Sequence, residues 1–385
     1  LSLNNNNTGK TVETQTESGH SRPRSTSRTI VIESDAPELL LMKTLEKIIG
    51  EKSKAETVLV DLVLNRVISL WKDDVYNHNV FCSSLPITTV VPMKCLAQWN
   101  SNLLLSNELL AYMSNQINSI LKIAKYNESI SLLSYWVSHC ALVLHLHHEI
   151  YTTDHLKPRP AIILDNIGKA VKFYDNLDLT TASPLEILEG LFAKMYALLL
   201  DRMYKFLKPA IHGIVEDAVK TSPQGESPMK KLVQLLSRFQ MIIQQNFINM
   251  QFSQQIFSQL FYFMNCIIFN EVILRRDLCT WNKGIDLKMK LSTLKQWTKK
   301  PEFKDWCGNA ANELEPTHQL ASALSIDKHI LGNKDVRIQV CPLLSAVQLK
   351  QMLTMYQADE LVEPQVPLSV IRAIFDSDDY NVEDQ

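Results

Sequence analysis

An apolar run from Ile256 to Phe269, interrupted by Ser258, Gln259 and Asn265, constrains the fold of this chain more than any other feature. A helix without a polar face needs apolar neighbours on all sides, so it belongs inside a bundle of other helices. The window is shorter than the roughly 18 to 20 residues that a membrane span requires, and it reads as a core helix. Downstream the run acquires Arg275, Arg276 and Asp277, passes through Cys279-Thr280-Trp281 and is expected to stop at Gly284. Trp281 then anchors the turn into a further helix near Ser292 to Trp297, packed beside the first.

A chain of 385 residues is long enough for one large domain or two ordinary ones. Apolar content of 46% with 21% charged residues suits a packed core, and only ten glycines argue against a turn-rich β protein. The net charge of -2 gives no global attraction to nucleic acid or to anionic membrane, so an electrostatic partner needs a local patch. Such a patch is offered between Arg275 and Lys300, where eight basic residues face only Asp277 and Asp286, while the tail over 376–385 is acidic. A solvated surface is the plainer reading of the same charges. The seven cysteines form no CxxC pair and sit mostly in apolar helical contexts, as free buried thiols do in a reducing, cytoplasmic compartment. Leu1 is not an initiator methionine and no signal peptide opens the chain, which reads as a piece of something longer.

Residues 1–36 are polar, lack apolar periodicity before Ile30, and are expected to be a disordered linker; Arg22-Pro-Arg-Ser-Thr-Ser-Arg within it has the form of a basic kinase site. From Pro37 onward apolar residues recur at three and four, marking amphipathic helices, with further helices expected at about 92–99, 105–124 and 128–150. Ser183-Pro184-Leu185-Glu186 carries a capping serine, a proline at the first helical position and a glutamate placed for a capping box, and predicts a long helix from 184 to about 207. Helices at about 228–248 and 252–278 follow the loop that holds Thr221-Ser222-Pro223 and Ser227-Pro228. Ser222 and Ser227 are candidate sites of proline-directed phosphorylation, set against a loop whose prolines only end helices. No strand pattern of useful length and no internal repeat is present. The fold class read from this pattern is all-α.

There is no glycine-rich phosphate loop, no GxSxG, no HExxH and no carboxylate pair that stands out by helical spacing, so no catalytic residue is assigned and no cofactor is implied. His139, His145, His147 and His148 with Cys140 are the best metal candidates, but only 145 and 148 share a helix face, and the reading is no metal site. Tyr135, Trp136 and the phenylalanines at 252, 257, 261, 263 and 269 are assigned to core packing.

Three segments in order carry a family resemblance. The stretch from Gln259 through Arg275-Arg276-Asp277-Leu278-Cys279-Thr280-Trp281-Asn282-Lys283-Gly284 to Trp297 resembles the dilute (DIL) segment of the class V myosin tail. Ser131-Leu-Leu-Ser-Tyr-Trp-Val-Ser-His-Cys resembles the phenylalanine-tryptophan-leucine-serine-asparagine signature of the tail's first half. Val340-Cys341-Pro-Leu-Leu with Gln348-Leu-Lys-Gln-Met-Leu-Thr-Met-Tyr356 resembles its closing helices. The resemblance implies elongated helical bundles in two packed subdomains joined by a long helix, the first over 37–205 and the second, with the DIL segment, over 206–385.

It also implies a role: a non-enzymatic cargo-binding globular tail of an unconventional myosin. Such a tail recognises adaptor proteins or Rab GTPases on vesicles or organelles for actin-based transport, and folds back on its own motor head to inhibit it. The motor and a dimerising coiled coil are expected upstream, and membrane contact only through adaptors. Lys283 matches a basic position in the family's tryptophan-x-basic-glycine motif at the Rab-facing surface, and Arg275, Arg276, Lys283 and Asp286 are the candidate partner patch. Family members usually carry glutamine where this chain has Asp286, which replaces a donor-acceptor amide by an acceptor-only anion and disfavours a contact that needs donation. The chain stops at Gln385, so the strap that closes other members onto the first subdomain is expected to be short or missing. The alternative is a motor-less DIL-domain scaffold that links small GTPases to junctions or membranes.

Overall fold

The computed structural model describes residues 65, 80–82, 84–90, 115–120, 122, 128–151, 182–216, 227–358 and 366–376. All of them belong to the compact unit Pro37–Gln385. The expected linker over 1–36 with its kinase site, the helices near 92–99, Ser222 and the acidic tail beyond Asp376 lie outside the described residues.

The described residues are helical apart from a two-residue antiparallel ladder, β1 (Phe81–Cys82) with β2 (Leu85–Pro86), which is too short to show as an alternating pattern. Helix α1 (Ile130–Tyr151) begins at Ser129, whose hydroxyl accepts from the Leu132 amide, and it buries Tyr135 and Trp136 as expected. Thr88 and Thr89 fasten the segment after β2 onto it. The two threonine hydroxyls lie 2.9 and 2.7 Å from His139 Nδ1, and Thr88 Oγ1 lies 2.9 Å from the Tyr135 hydroxyl. With no charged partner, burial holds His139 neutral and pushes its pKa down to about 3. His139 is therefore a core residue. His145 is exposed, the side chains of His147 and His148 lie outside the described ones, and among the described residues no His, Cys, Asp and Glu groups gather to hold a metal.

Helix α2 (Pro184–Glu216) starts on the predicted capping box, with Glu186 Oε2 accepting from the Ser183 amide at 2.9 Å and from its hydroxyl at 2.7 Å. It runs on to Glu216 instead of ending near 207. Pro209 removes one hydrogen bond, but the buried stripe Leu207, Ile211, Ile214 and Val215 continues past it and holds the last turns in register. α2 packs on α1, on α3 (Pro228–Gln245) and on α4 (Met250–Leu274), and α3 also meets α1.

α4 is the apolar helix of the sequence, 25 residues long, which is long and apolar enough by composition to cross a membrane. Its neighbours are α2, α6 (Pro301–Cys307), the 3-10 turn Ala310–Leu314, α7 (Glu315–Leu324) and α9 (Ala346–Met355), so its apolar sides meet protein. Phe257, Phe261 and Phe269 are buried on it, with Phe252 and Phe263 half-buried against the core. Between α7 and α9 come the 3-10 turn Lys328–Gly332 and α8 (Lys334–Val340), and α10 (Leu368–Asp376) packs on that turn and on α9. Cys140, Cys266, Cys279, Cys307 and Cys341 are free thiols, and all but Cys266 are buried.

Candidate functional site

The run expected to stop at Gly284 is two helices. α4 ends at Leu274, Arg275 caps it, and a tight turn follows in which the Leu278 and Cys279 amides donate to Arg275 O. Thr280 then caps a new helix, α5 (Trp281–Thr298), with its hydroxyl accepting from the Lys283 amide at 3.2 Å. Trp281 and the segment expected near Ser292–Trp297 are thus parts of one helix. Gly284 lies in its first turn and does not terminate anything: an added Cβ there would stand 2.7 Å from Leu324 Cβ and 2.8 Å from Ala321 O. Glycine is required because α5 and α7 cross in backbone contact.

The turn is tied to the closing helices. Cys279 Sγ donates to Met352 O at 3.2 Å, and the Gln357 amide donates to Cys279 O at 2.9 Å. Burial raises the Cys279 thiol to about 12, so it stays protonated and available as a donor.

Of the four candidate partner residues, the structure brings Lys283 and Asp286 together and leaves the arginines apart. Arg275 bridges the end of α2 to the turn, with Nη1 at 3.0 Å from Glu216 and Nη2 at 2.8 Å from Asp277. Hydrogen bonds to Asp277 and Glu216 raise the guanidinium pKa, and the same contact with Arg275 lowers that of Asp277. Arg276 is exposed. Lys283 is only 7% exposed and lies 2.9 Å from Asp286. Asp286 also takes Lys290 at 2.7 Å, and Lys290 donates to Ile214 O at 2.7 Å, at the end of α2. Lys283 and Asp286 pair within α5, Lys290 links that pair to the end of α2 through Ile214 O, and Arg276 is the fully exposed member of the set.

Asp286 Oδ2 accepts from both ammonium groups and supplies the negative charge between them, which a glutamine amide would lack. Lys290 was legible as the i+4 partner of Asp286. Glu216 and His212, which pairs with Glu271 across α2 and α4, were not, because sequence does not show which helix ends meet.

With this geometry in place, the likenesses to other proteins fall into line. Residues 255–360 match the DIL domain family. Myosin-H heavy chain of Dictyostelium discoideum is 29% identical over 252 residues, covering 65% of this chain and 13% of that protein. Unconventional myosin-Vb of Rattus norvegicus is 24% identical over 283 residues, covering 68% of this chain and 15% of that protein. The chain therefore spans about a seventh of the length of these relatives. Among solved structures, Myo2-GTD in complex with Mmr1 superposes with a TM-score of 0.59 at 16% identity, covering 89% of this chain and 85% of that one. A myosin V cargo binding domain does so at 0.57 and 19%, covering 89% and 84%.

The chain holds a segment similar to the DIL domain over residues 255–360 within an all-helical fold. Its fold is that of the globular tails of class V myosins.

Proposed function

We propose that this chain is the cargo-recognition module of an actin-based motor, which binds adaptor proteins in the cytoplasm and carries no catalytic group of its own. What supports the reading is the globular-tail fold shared with Myo2-GTD, a tail solved with Mmr1 bound and, separately, with Smy1 bound, together with the DIL match over residues 255–360. Rab-type GTPases on vesicle or organelle surfaces, and the motor's own head, are further partners in this reading. Arg276 is its exposed contact, Arg275 is held beside it by Glu216 and Asp277, and Lys283 and Asp286 pair nearby on α5, where Lys290 ties that helix to the end of α2.

Ser227 completes the proposal. It is exposed, immediately before Pro228 at the start of α3, where the helix dipole favours a phosphate. Ser222, outside the described residues, is the second modification site in the same reading. A Ser227→Glu chain that recovers the same partners in the same amounts as wild type would dispose of regulation at Ser227.

The test of function is affinity purification of the chain from its native cytosol with mass spectrometry, wild type against Arg276→Glu. Lys283→Glu is unsuitable because it would bury a second carboxylate beside Asp286. Recovery of vesicle adaptors or Rab proteins supports the cargo reading, and their loss in the variant locates the site. Recovery by both chains moves the site to an interhelical groove. Recovery of junctional proteins alone would replace the cargo reading with the scaffold one.

A further inference from the structure

Basic residues are concentrated on two neighbouring helices. α3 and the segment 281–300, which is α5 with the two residues after it, hold nine basic residues and one acidic, Asp286, in a chain whose net charge is -2. Three of the cations on α5 are engaged inside the fold, Lys283 and Lys290 with Asp286, and Lys295 with Glu315 at 3.4 Å. Lys230, Lys231, Arg238, Lys299 and Lys300 are exposed. Lys231, Gln234, Arg238 and Met241 follow one another at three and four along α3, as do Met289, Ser292, Gln296 and Lys300 along and just past α5, so each set forms one solvent-facing stripe.

The two stripes adjoin. The buried indole of Trp297 donates to Ser237 Oγ on α3 at 3.1 Å and stacks on Phe303 of α6 with ring centres 4.6 Å apart. Trp297 thereby fills the seam and sets the α5–α6 junction next to the turn of α3 that carries Arg238. The backbone of that junction is fixed. The Lys299 amide donates to Gln296 O and the Lys300 amide to Trp297 O, both at 3.2 Å, while Lys300 O accepts from the Phe303 and Lys304 amides at 2.9 Å. Glu302 and Asp305 on α6, with Lys304 between them, mark the acidic edge of the face.

We propose that the outer face of α3 and the α5–α6 junction is a contact site for an anionic lipid bilayer. Clustered cations call for an anionic partner, and the make-up of the face selects among such partners. Four of its five exposed cations are lysines, compact point charges that suit dispersed headgroup phosphates and carboxylates, whereas bidentate recognition of an acidic peptide favours arginine. Single-stranded nucleic acid needs exposed aromatic rings for stacking, and Phe239 and Trp297, the aromatic residues along this face, are buried. An acidic helix needs a groove, and the seam between α3 and α5 is filled by Trp297. What is left is a broad two-helix surface for a flat partner, with Met241 and Met289, 47% and 61% exposed, as the apolar side chains it offers to the headgroup boundary. A polybasic face alone holds a membrane weakly, so this contact adds to the grip of an adaptor. The inference goes beyond the cargo reading and departs from the expectation that the membrane is reached only through adaptors.

The test is cosedimentation of the intact chain with phosphatidylcholine vesicles, made with and without about 30% phosphatidylserine. Each lysine or arginine beside an anionic surface strengthens binding about fivefold, so the chain should bind the phosphatidylserine vesicles at least about 100-fold more strongly than the neutral ones at low salt. Most of that gain should vanish near about 0.5 M salt, where screening shortens to roughly 4 Å. Arg238→Gln/Lys299→Gln/Lys300→Gln should weaken binding at least about 30-fold, and Lys299→Gln/Lys300→Gln alone, the fallback should the triple variant fail to fold, at least about tenfold. A chain of the same net charge as the triple variant, with Lys334→Gln/Lys350→Gln/Arg372→Gln on α8, α9 and α10, should stay within about threefold of wild type. Absent or equal binding to the two lipids, or equal losses in both triple variants, overturns the proposal. So does capture of polyglutamate or single-stranded RNA while phosphatidylserine vesicles stay unbound, which would make the partner an acidic polymer. Pure lipid vesicles hold no protein, so failure here leaves adaptor recovery untouched, and failed adaptor recovery leaves this result standing.

Discussion

Lys283 illustrates how far a residue's chemistry depends on what it meets. In sequence it is one of eight basic residues between Arg275 and Lys300; in the fold it is buried against Asp286. Removing the charge while keeping the stem, as in Lys283→Met, leaves Asp286 paired with Lys290 and should cost about 1 to 2 kcal/mol in urea unfolding. Lys283→Glu places two carboxylates together and should cost more than about 3 kcal/mol. Equal, small losses for both would show the pair to be incidental. His139 gives the pH dependence. Its folded pKa of about 3 lies below the ordinary 6.5, so the unfolded chain binds the extra proton between those values and stability falls as pH drops through that window. At pH 5 the loss relative to neutral pH should be about 2 kcal/mol. Urea midpoints between pH 7 and pH 5 check this, and His139→Gln should flatten that part of the slope.

At the scale of elements, Gly284 separates two readings that look alike in sequence. A helix-ending glycine tolerates alanine poorly because of its backbone angles, whereas here the obstacle is α7. Gly284→Ala adds helix propensity worth about 1 kcal/mol, yet must push apart backbone atoms at 2.8 and 3.0 Å. A net loss of about 2 to 4 kcal/mol in thermal unfolding is expected, and a neutral or stabilising result would mean that the α5–α7 contact gives way easily. What was legible follows the same logic. The capping box at Ser183, the core role of Tyr135 and Trp136 and the apolar α4 are local or periodic signals, and each appears in the fold. The break after α4 was expected, but the start of α5 at Trp281 was placed too late, near Ser292, because polar residues alone do not distinguish a turn from a helix surface. The extension of α2 past 207 was missed because Pro209 is a stop signal that tertiary packing overrides. The candidate site was legible as a segment but not as a geometry, since Glu216, Ile214 and Met352 reach it from helices distant in sequence.

At the scale of the whole molecule, the position of α2 decides what a division into subdomains means. A boundary between 205 and 206 cuts this helix after about six turns, between a half that carries α1 and a half clasped by Arg275 and Lys290. Both halves lose helical hydrogen bonds there, and each exposes part of one buried stripe, Leu199, Leu200, Met203, Leu207 and Ile211. A break between α2 and α3, at any bond from 217 to 226, leaves both helices whole. Two pieces split in that interval and expressed together should copurify and melt within a few degrees of the intact chain. Pieces split at 205/206 should fail to assemble. Size-exclusion chromatography and circular dichroism of the two pairs provide the comparison. If the 205/206 pair assembled as well as the other, α2 would be two docked segments rather than the continuous beam on which α1, α3 and α4 are mounted.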